Sequence, residues 1–330
     1  MVGQADDKHR PHSDLMRALI TGADGFVGQW LVRELQDAGY EVHGGSRAVR
    51  MPLRTLDPVR VNAMQWHRLD LSDVDSLRAA VNASRPDAIF HLAAQSSVPA
   101  SIANPAETFE VNLLGTVRLL DACRQEAPDA MLVVAGSADV YGMADPAQMP
   151  LREDAPLRPA NPYAASKAAA EVSTLQYARS GWVRALVTRS FNHTGPGQSE
   201  AFAVPSFAKQ VAAIRAGTQP PVLRVGNLAA LRDFLDVRDV VAAYRLLAHA
   251  GGPCRVYNVC SGVAVSMREI VDRLIAIAGV DVSIEEDPAR MRPSDTPRLV
   301  GDASELRQAT GWEPTIPLAQ TLNDLLASYA

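Results

Sequence analysis

The eight residues TGADGFVG at 21–28 constrain the fold more than any other part of the chain. They follow the apolar run RALI and open directly into an amphipathic stretch from Phe26 to Ala38, so a strand must turn within a few residues into a helix. Gly22, Gly25 and Gly28 carry no Cβ and let backbone approach backbone or ligand. The helix that follows offers unpaired N–H donors and the positive end of its dipole. A strand, glycine turn and helix in this order can hold the pyrophosphate of a nucleotide. Gly22, Gly25, Phe26, Val27 and Gly28 are the candidate contacts; a glycine triplet elsewhere would be a turn and nothing more.

Beyond this turn, apolar runs and amphipathic stretches alternate. Runs at 41–46, 63–69, 87–94, 129–137 and 183–192 predict strands, and 73–84, 105–127 and 162–180 predict helices. Strands alternating with helices imply an α/β fold with a parallel sheet covered on both faces. After about residue 192, Pro and Gly punctuation at 195–198, 218–221, 251–253 and 292–297 loosens the rhythm, while helical patterns recur at 204–217, 237–249, 266–278 and 317–329. At 330 residues the chain exceeds the ~250–300 at which a single core stops growing, so a smaller second lobe is expected. The expected division is a disordered extension over 1–15, a nucleotide-binding unit over 16–192 to which later segments return, and a mainly substrate-binding unit over 193–330.

Composition excludes several functions. A net charge of −5 gives no overall attraction to nucleic acid or an anionic membrane. No stretch approaches the ~18 uninterrupted apolar residues of a membrane span. The first fourteen residues lack the apolar segment of a secretory signal. Cys123, Cys254 and Cys260 have no metal-ligand spacing and suit a reducing, cytoplasmic compartment as small apolar residues. No metal is expected.

An NAD site usually places Asp or Glu at the end of the second strand, accepting from the ribose 2′-hydroxyl. Here that place reads Gly45-Ser46-Arg47. Ser46 and Arg47 suit the 2′-phosphate of NADP(H), because a guanidinium pairs well with phosphate oxygens; NAD(H) remains the alternative, with Arg47 a solvated loop residue. Asp70 is a candidate adenine contact or a partner in a helix cap at Ser72.

In NPYAASKAAAE, Asn161-Pro162 starts a helix, and Tyr163 and Lys167, four residues apart, share one of its faces. A lysine ammonium beside the phenol, reinforced by the positive nicotinamide ring, is expected to lower the tyrosine pKa toward working pH, as a general acid/base requires. Ser137 ends the run MLVVAGS at the carboxyl end of a predicted strand, where it can hold a substrate oxygen.

The glycine turn, a strand-terminal serine and YxxxK in this order resemble the extended short-chain dehydrogenase/reductase family, whose members act on nucleotide sugars. The likeness spans 16–330 and includes HLAAQSSV (91–98) and the stretch around Asn112. It implies a Rossmann doubly wound parallel sheet with a smaller, partly discontinuous carboxyl-terminal substrate domain. It also implies a homodimer or tetramer through the helices at 105–127 and 162–180, and it adds Leu71, Leu92, Ala93 and Ala94 to the cofactor contacts. RSFNHTGPGQS, VGNLAALRDFLDVRDV, YNVCSG and RPSDTP resemble the dehydratases and reductases of GDP-mannose metabolism, the first and third of these the reductases most.

Through that resemblance, Asn192, Lys209, Arg232 and Arg292 are candidates for binding a GDP-sugar, with Arg232, in a loop-like stretch, for the diphosphate; Val204 and Asn227 would line the guanosine. His193 would bond backbone or act as an acid. A 4,6-dehydratase needs acid/base groups beyond tyrosine, which its Thr-Ser-Glu run supplies. Here the run is Ser137-Ala138-Asp139, with Asp139 either an acid/base or a residue that orients the turn. The shortened carboxylate favours NAD(P)H-dependent reduction of the 4-keto group of GDP-4-keto-6-deoxy-D-mannose to GDP-D-rhamnose. Dehydration of GDP-mannose, formation of another GDP-6-deoxyhexose such as GDP-6-deoxy-talose, and a catalytically silent dinucleotide-binding regulator are the alternatives.

Overall fold

The computed structural model describes residues 16–48, 53–290 and 296–329; the expected extension over 1–15 lies outside them. The first part of the chain forms β1 (Arg17–Thr21), α1 (Phe26–Asp37), β2 (Glu41–Ser46), α2 (Pro58–Asn62), β3 (Gln65–Arg68), α3 (Val74–Ser84) and β4 (Ala88–His91). Then come α4 (Val98–Ala103), α5 (Pro105–Phe109), a π-helical turn (Glu110–Leu114), α6 (Gly115–Glu126), β5 (Met131–Ala135), α7 (Pro162–Arg179) and β6 (Arg184–Ser190). The remainder forms β7 (Asn192–Thr194), α8 (Ala203–Arg215), β8 (Val222–Val225), β9 (Leu231–Asp236), α9 (Val237–Ala250), β10 (Val256–Val259), β11 (Ala264–Ser266), α10 (Met267–Ala278), β12 (Ser283–Glu286), β13 (Arg298–Leu299), α11 (Ser304–Thr310) and α12 (Leu318–Ala327).

Seven strands pair in the order β10-β6-β5-β4-β1-β2-β3, all parallel. Alternate residues feed opposite faces. Ala18, Ile20, Phe90, Met131, Val133 and Leu186 join one cluster with residues of α1 and α9, while Leu19, Ile89, Leu132, Val134, Ala185 and Val187 join another with α3, α6 and α7. Because both faces are buried at the centre, β1, β4 and β5 appear in the sequence as nearly unbroken apolar runs, whereas the edge strand β3 reads QWHR and is half-exposed. A third cluster joins α8, α10 and α12 through Phe207, Val211, Ile270, Leu274, Leu322 and Leu325.

The helix expected over 105–127 is interrupted by the π-helical turn, just where Gly115 lets the chain close on α3's approach segment: a Cβ there would lie 2.8 Å from Leu71 Cβ. The late strand β10 returns to the large sheet beside β6. Helix α7 starts where its residues predict, with the Asn161 side chain accepting from Ala164 N at 2.9 Å and Pro162 in the first turn.

A buried ion pair anchors α7 to the sheet. Arg189 donates Nε and NH2 to the two oxygens of Glu171 at 2.9 and 2.6 Å, and NH1 to the Tyr141 hydroxyl and the Glu153 carbonyl, each at 2.9 Å. Tyr141 in turn donates to Asn258 at 2.7 Å. Fully hydrogen-bonded, the pair is tolerated; broken, it leaves a bare buried charge. Arg189→Met should therefore cost about 3–5 kcal/mol, whereas Arg189→Met with Glu171→Leu should recover most of that loss. Urea unfolding of the two variants measures both, and an undiminished stability in the single variant would contradict this account.

Candidate active site

The glycine turn is a cradle that side chains would fill. Gly22 has φ +72° and lies against the Ala93 backbone, where a Cβ would come within 3.0 Å. A Cβ on Gly28 would lie 2.2 Å from the Gly22 carbonyl oxygen and 2.8 Å from Ala23 Cα. Gly25, in the N-cap position of α1, donates to that carbonyl at 3.0 Å, and Gly22 donates to Gly45 O at 2.8 Å. The turn thus closes tightly and points the free N–H groups of α1 outward, which fits the pyrophosphate of a dinucleotide. Phe26, Val27 and Leu92 are half-buried against the adjoining core, and Ala93 N donates to Thr21 Oγ1 at 3.2 Å. His193 stacks on Phe26 with ring centroids 6.3 Å apart and bonds through Nδ1 to the Phe191 carbonyl at 3.0 Å. That is the backbone-bonding alternative of the two expected for it.

At the end of β2, Ser46 is buried and donates to Ala48 O at 3.3 Å, while Arg47 is exposed. The Asp70 carboxylate accepts from Ser72 N and Oγ at 2.9 and 2.7 Å. These bonds, with weaker help from the guanidinium groups of Arg47 and Arg68, hold its carboxyl below the usual range. The cap of α3 is Asp73, not Ser72: its side chain accepts from Ser76 N. Buried Leu71 follows.

Ser137 lies two residues beyond β5, and its hydroxyl accepts from Asp139 N at 3.2 Å. Tyr163 and Lys167 emerge from the first turns of α7, and Lys167 Nζ donates to the Ala135 carbonyl at 2.8 Å. The four side chains thus gather where β5 and α7 meet, and the protein's own groups do not lower the Tyr163 pKa as the lysine was expected to. Burial first, then the Asp139 carboxylate, push the Tyr163 phenol well above its ordinary range; Ser137, lying against the phenol, offsets this only in part. Burial also draws Lys167 down to about 8. The physical reason is desolvation, which disfavours phenolate and ammonium alike.

Among the substrate candidates, Asn192 is exposed on β7 and Lys209 is exposed on α8. Val204 is buried at 3% exposure in the third cluster. Asn227 follows β8 and accepts from Ala229 N at 3.0 Å. Arg232 sits within β9, not in a loop, between β11 and β13, with NH1 on the Leu231 carbonyl at 2.9 Å. Arg292 lies outside the described residues. Among the described residues no His, Cys, Asp and Glu group could hold a metal ion, and no helix is long and apolar enough to cross a membrane. Buried Thr21, His91, Asn112, Thr116 and Ser166 were not singled out as site residues; their one signal is a polar residue inside an otherwise apolar element.

Residues 19–325 match the family model for GDP-mannose 4,6 dehydratase. The chain belongs to that family. It is 41% identical over 95% of its length to the GDP-6-deoxy-D-mannose reductase of Pseudomonas aeruginosa, 97% of which is covered. Identity to GDP-mannose 4,6 dehydratase 2 of Arabidopsis thaliana is 34%, over 91% of this chain and 83% of that one. Among solved structures, RMD from Pseudomonas aeruginosa complexed with NADPH superposes with a TM-score of 0.83 at 38% identity, over 95% of this chain and 99% of the other. The UDP-glucose 4-epimerase of Thermus thermophilus complexed with NAD gives 0.84 at 31%, with 95% and 99% covered. These likenesses place the family's members on the parallel sheet described above.

The depressed Lys167 pKa carries a stability cost. Folding opposes the charged form, so the cost is fully present below pH 8 and fades as pH climbs toward the unfolded value near 10.5. Lys167→Met should raise unfolding stability at pH 7 by about 2 kcal/mol, with the gain vanishing above pH 10. Unfolding curves across pH check this, and a variant destabilised at pH 7 would refute it.

Proposed function

We propose that the protein reduces the 4-keto group of GDP-4-keto-6-deoxy-D-mannose to GDP-D-rhamnose, with NADP(H) as cofactor and NAD(H) as a weaker substitute. The observation that carries this reading is the grouping of Tyr163, Ser137 and Lys167 where α7 meets the end of β5, in a chain 41% identical to a GDP-6-deoxy-D-mannose reductase. A ketone that accepts a hydride becomes an alkoxide and needs a proton at once. The Tyr163 phenol can supply it.

When bound, the reduced nicotinamide supplies the hydride to carbon 4. Ser137 holds the carbonyl oxygen, Tyr163 gives it the phenolic proton, and the Lys167 ammonium, tethered to Ala135 O, steadies the phenolate left behind. The Asp139 carboxylate, whose charge raises the Tyr163 pKa, makes the phenolate costlier, so the Lys167 cation and the Ser137 hydroxyl are the groups that offset it. Gly22, Gly25, Phe26, Val27 and Gly28 would hold the pyrophosphate, Ser46 and Arg47 the 2′-phosphate, and Asp70, Leu71, Leu92, Ala93 and Ala94 the rest of the dinucleotide. Asn192, Lys209, Asn227 and Arg232, with Arg292, which lies outside the described residues, would take the GDP-sugar.

The stretch from α4 to α7 exposes Ile102, Leu114 and Val172, and the turn after α7 exposes Trp182. We assign this face to a homodimer contact, or to one interface of a tetramer; sedimentation showing a monomer at micromolar concentration would refute it. The catalytic reading is checked by following NADPH and NADH absorbance with the keto sugar and identifying the product by NMR. Stoichiometric NADPH loss with GDP-D-rhamnose is expected, and Tyr163→Phe should bind NADPH normally while losing at least about a hundredfold in kcat. A keto sugar formed from GDP-mannose without NADPH consumption would establish the dehydratase instead.

A further inference from the structure

Strand β4 is apolar until its last residue. His91 closes it at 4% exposure, where an imidazole must partner both ring nitrogens or leave one unsatisfied in the core. Both are met: Nδ1 lies 2.8 Å from the Thr21 hydroxyl, and Nε2 lies 2.9 Å from the Thr116 hydroxyl. Thr116 donates its own proton to the Asn112 carbonyl at 2.7 Å. It therefore accepts from Nε2–H, and Nδ1 accepts from Thr21, whose oxygen in turn accepts from Ala93 N. Every proton has a place with the ring neutral, and burial, reinforced by the nearby Lys167 ammonium, depresses the imidazole to about 3.

The chain of bonds continues into the catalytic helix. The Asn112 amide donates to Ser166 Oγ at 2.9 Å and to Gln95 O at 3.0 Å, and accepts from Gln95 N at 2.8 Å. Ser166 donates to the carbonyl of Tyr163 at 2.8 Å. Hydrogen bonds, joined through the backbone and side chain of Asn112, thus link the first residue of the glycine turn, through the end of β4 and the π-helical turn, to the residue that carries the phenol. A π-helical turn shifts the residues after it around the helix axis, and such turns recur at functional sites. Here it carries Asn112, while Thr116 stands one turn beyond.

We propose that His91 is a positioning residue, whose imidazole locks the glycine turn to the first turn of α7 so that a dinucleotide held by one meets Tyr163 on the other in a single geometry. The proposal rests on the cofactor and reductase reading above. Its test uses the full-length protein, with NADPH affinity measured by fluorescence titration and steady-state kinetics measured with the keto sugar. His91→Leu removes both ring bonds and should weaken NADPH binding and lower kcat by about tenfold each, the size expected for orphaned buried hydrogen bonds. Its KM for the keto sugar should stay within about twofold. His91→Gln, whose amide offers one acceptor and one donor, should restore affinity and kcat to within about threefold. Thr116→Val deletes a single hydroxyl from the same chain; it should move both quantities in the same direction and serves if the leucine variant does not fold. Unchanged NADPH affinity and kcat in His91→Leu or Thr116→Val, or a glutamine variant as impaired as the leucine one, would overturn the proposal. A wild-type protein that binds neither NADPH nor NADH would overturn the cofactor reading itself, and the proposal with it.

Discussion

Parallel pairing of the seven-stranded sheet is the constraint from which the site follows. Parallel strands must be joined by crossovers, and the crossovers cover both faces, so strand ends of like polarity collect along one edge. In register, Thr21 stands beside Gly45 on one side and His91 on the other, while Ala135 stands beside Thr188. Each of these ends delivers a different part: the glycine turn, the Ser46-Arg47 corner, the buried imidazole and the carbonyl that tethers Lys167. No one segment contains the site, yet each piece comes from the same place in its own unit.

Buried charge is handled in two ways, and the contrast separates scaffold from chemistry. Arg189 and Glu171 are matched bond for bond, with Tyr141 and a backbone carbonyl taking the remaining guanidinium donors. Lys167 is not matched by a carboxylate; its ammonium has a neutral carbonyl, and burial depresses its pKa. The first arrangement fixes where α7 lies. The second leaves a buried cation without that matching, at a cost to stability.

Much of the architecture was readable from residue order because its causes are local. The glycine turn, the bounds of β2 at Glu41–Ser46 and the start of α7 at Asn161-Pro162 each depend on steric or capping demands set by the residues themselves. The π-helical turn was hidden, since it is written in the same apolar periodicity as the helices flanking it. Arg232 looked like a loop residue but pairs in β9, because its partners, β11 and β13, lie 30 or more residues on. The direction of the Tyr163 shift was missed for the same reason. Spacing places a lysine beside a tyrosine, but desolvation and the nearby Asp139 are products of the assembled interior. The His91 chain joins positions 21, 91, 112, 116 and 166, which no window along the chain brings together.

The clusters interleave along the sequence. After β6 the chain enters the third cluster at Val204 and leaves it for the sheet's core at Leu235. It is back in the third cluster by Val265, returns to the sheet's core at Leu299 and ends in the third cluster at Leu322. Strand β10 and Trp312 thus complete a core that begins with Ala18. The stretch up to residue 192 is consequently not a module that could be cut out or transplanted. Such a piece would lack an edge strand and α9, and would expose the apolar face they cover. Recombination among relatives must exchange loops within this weave or the whole chain at once.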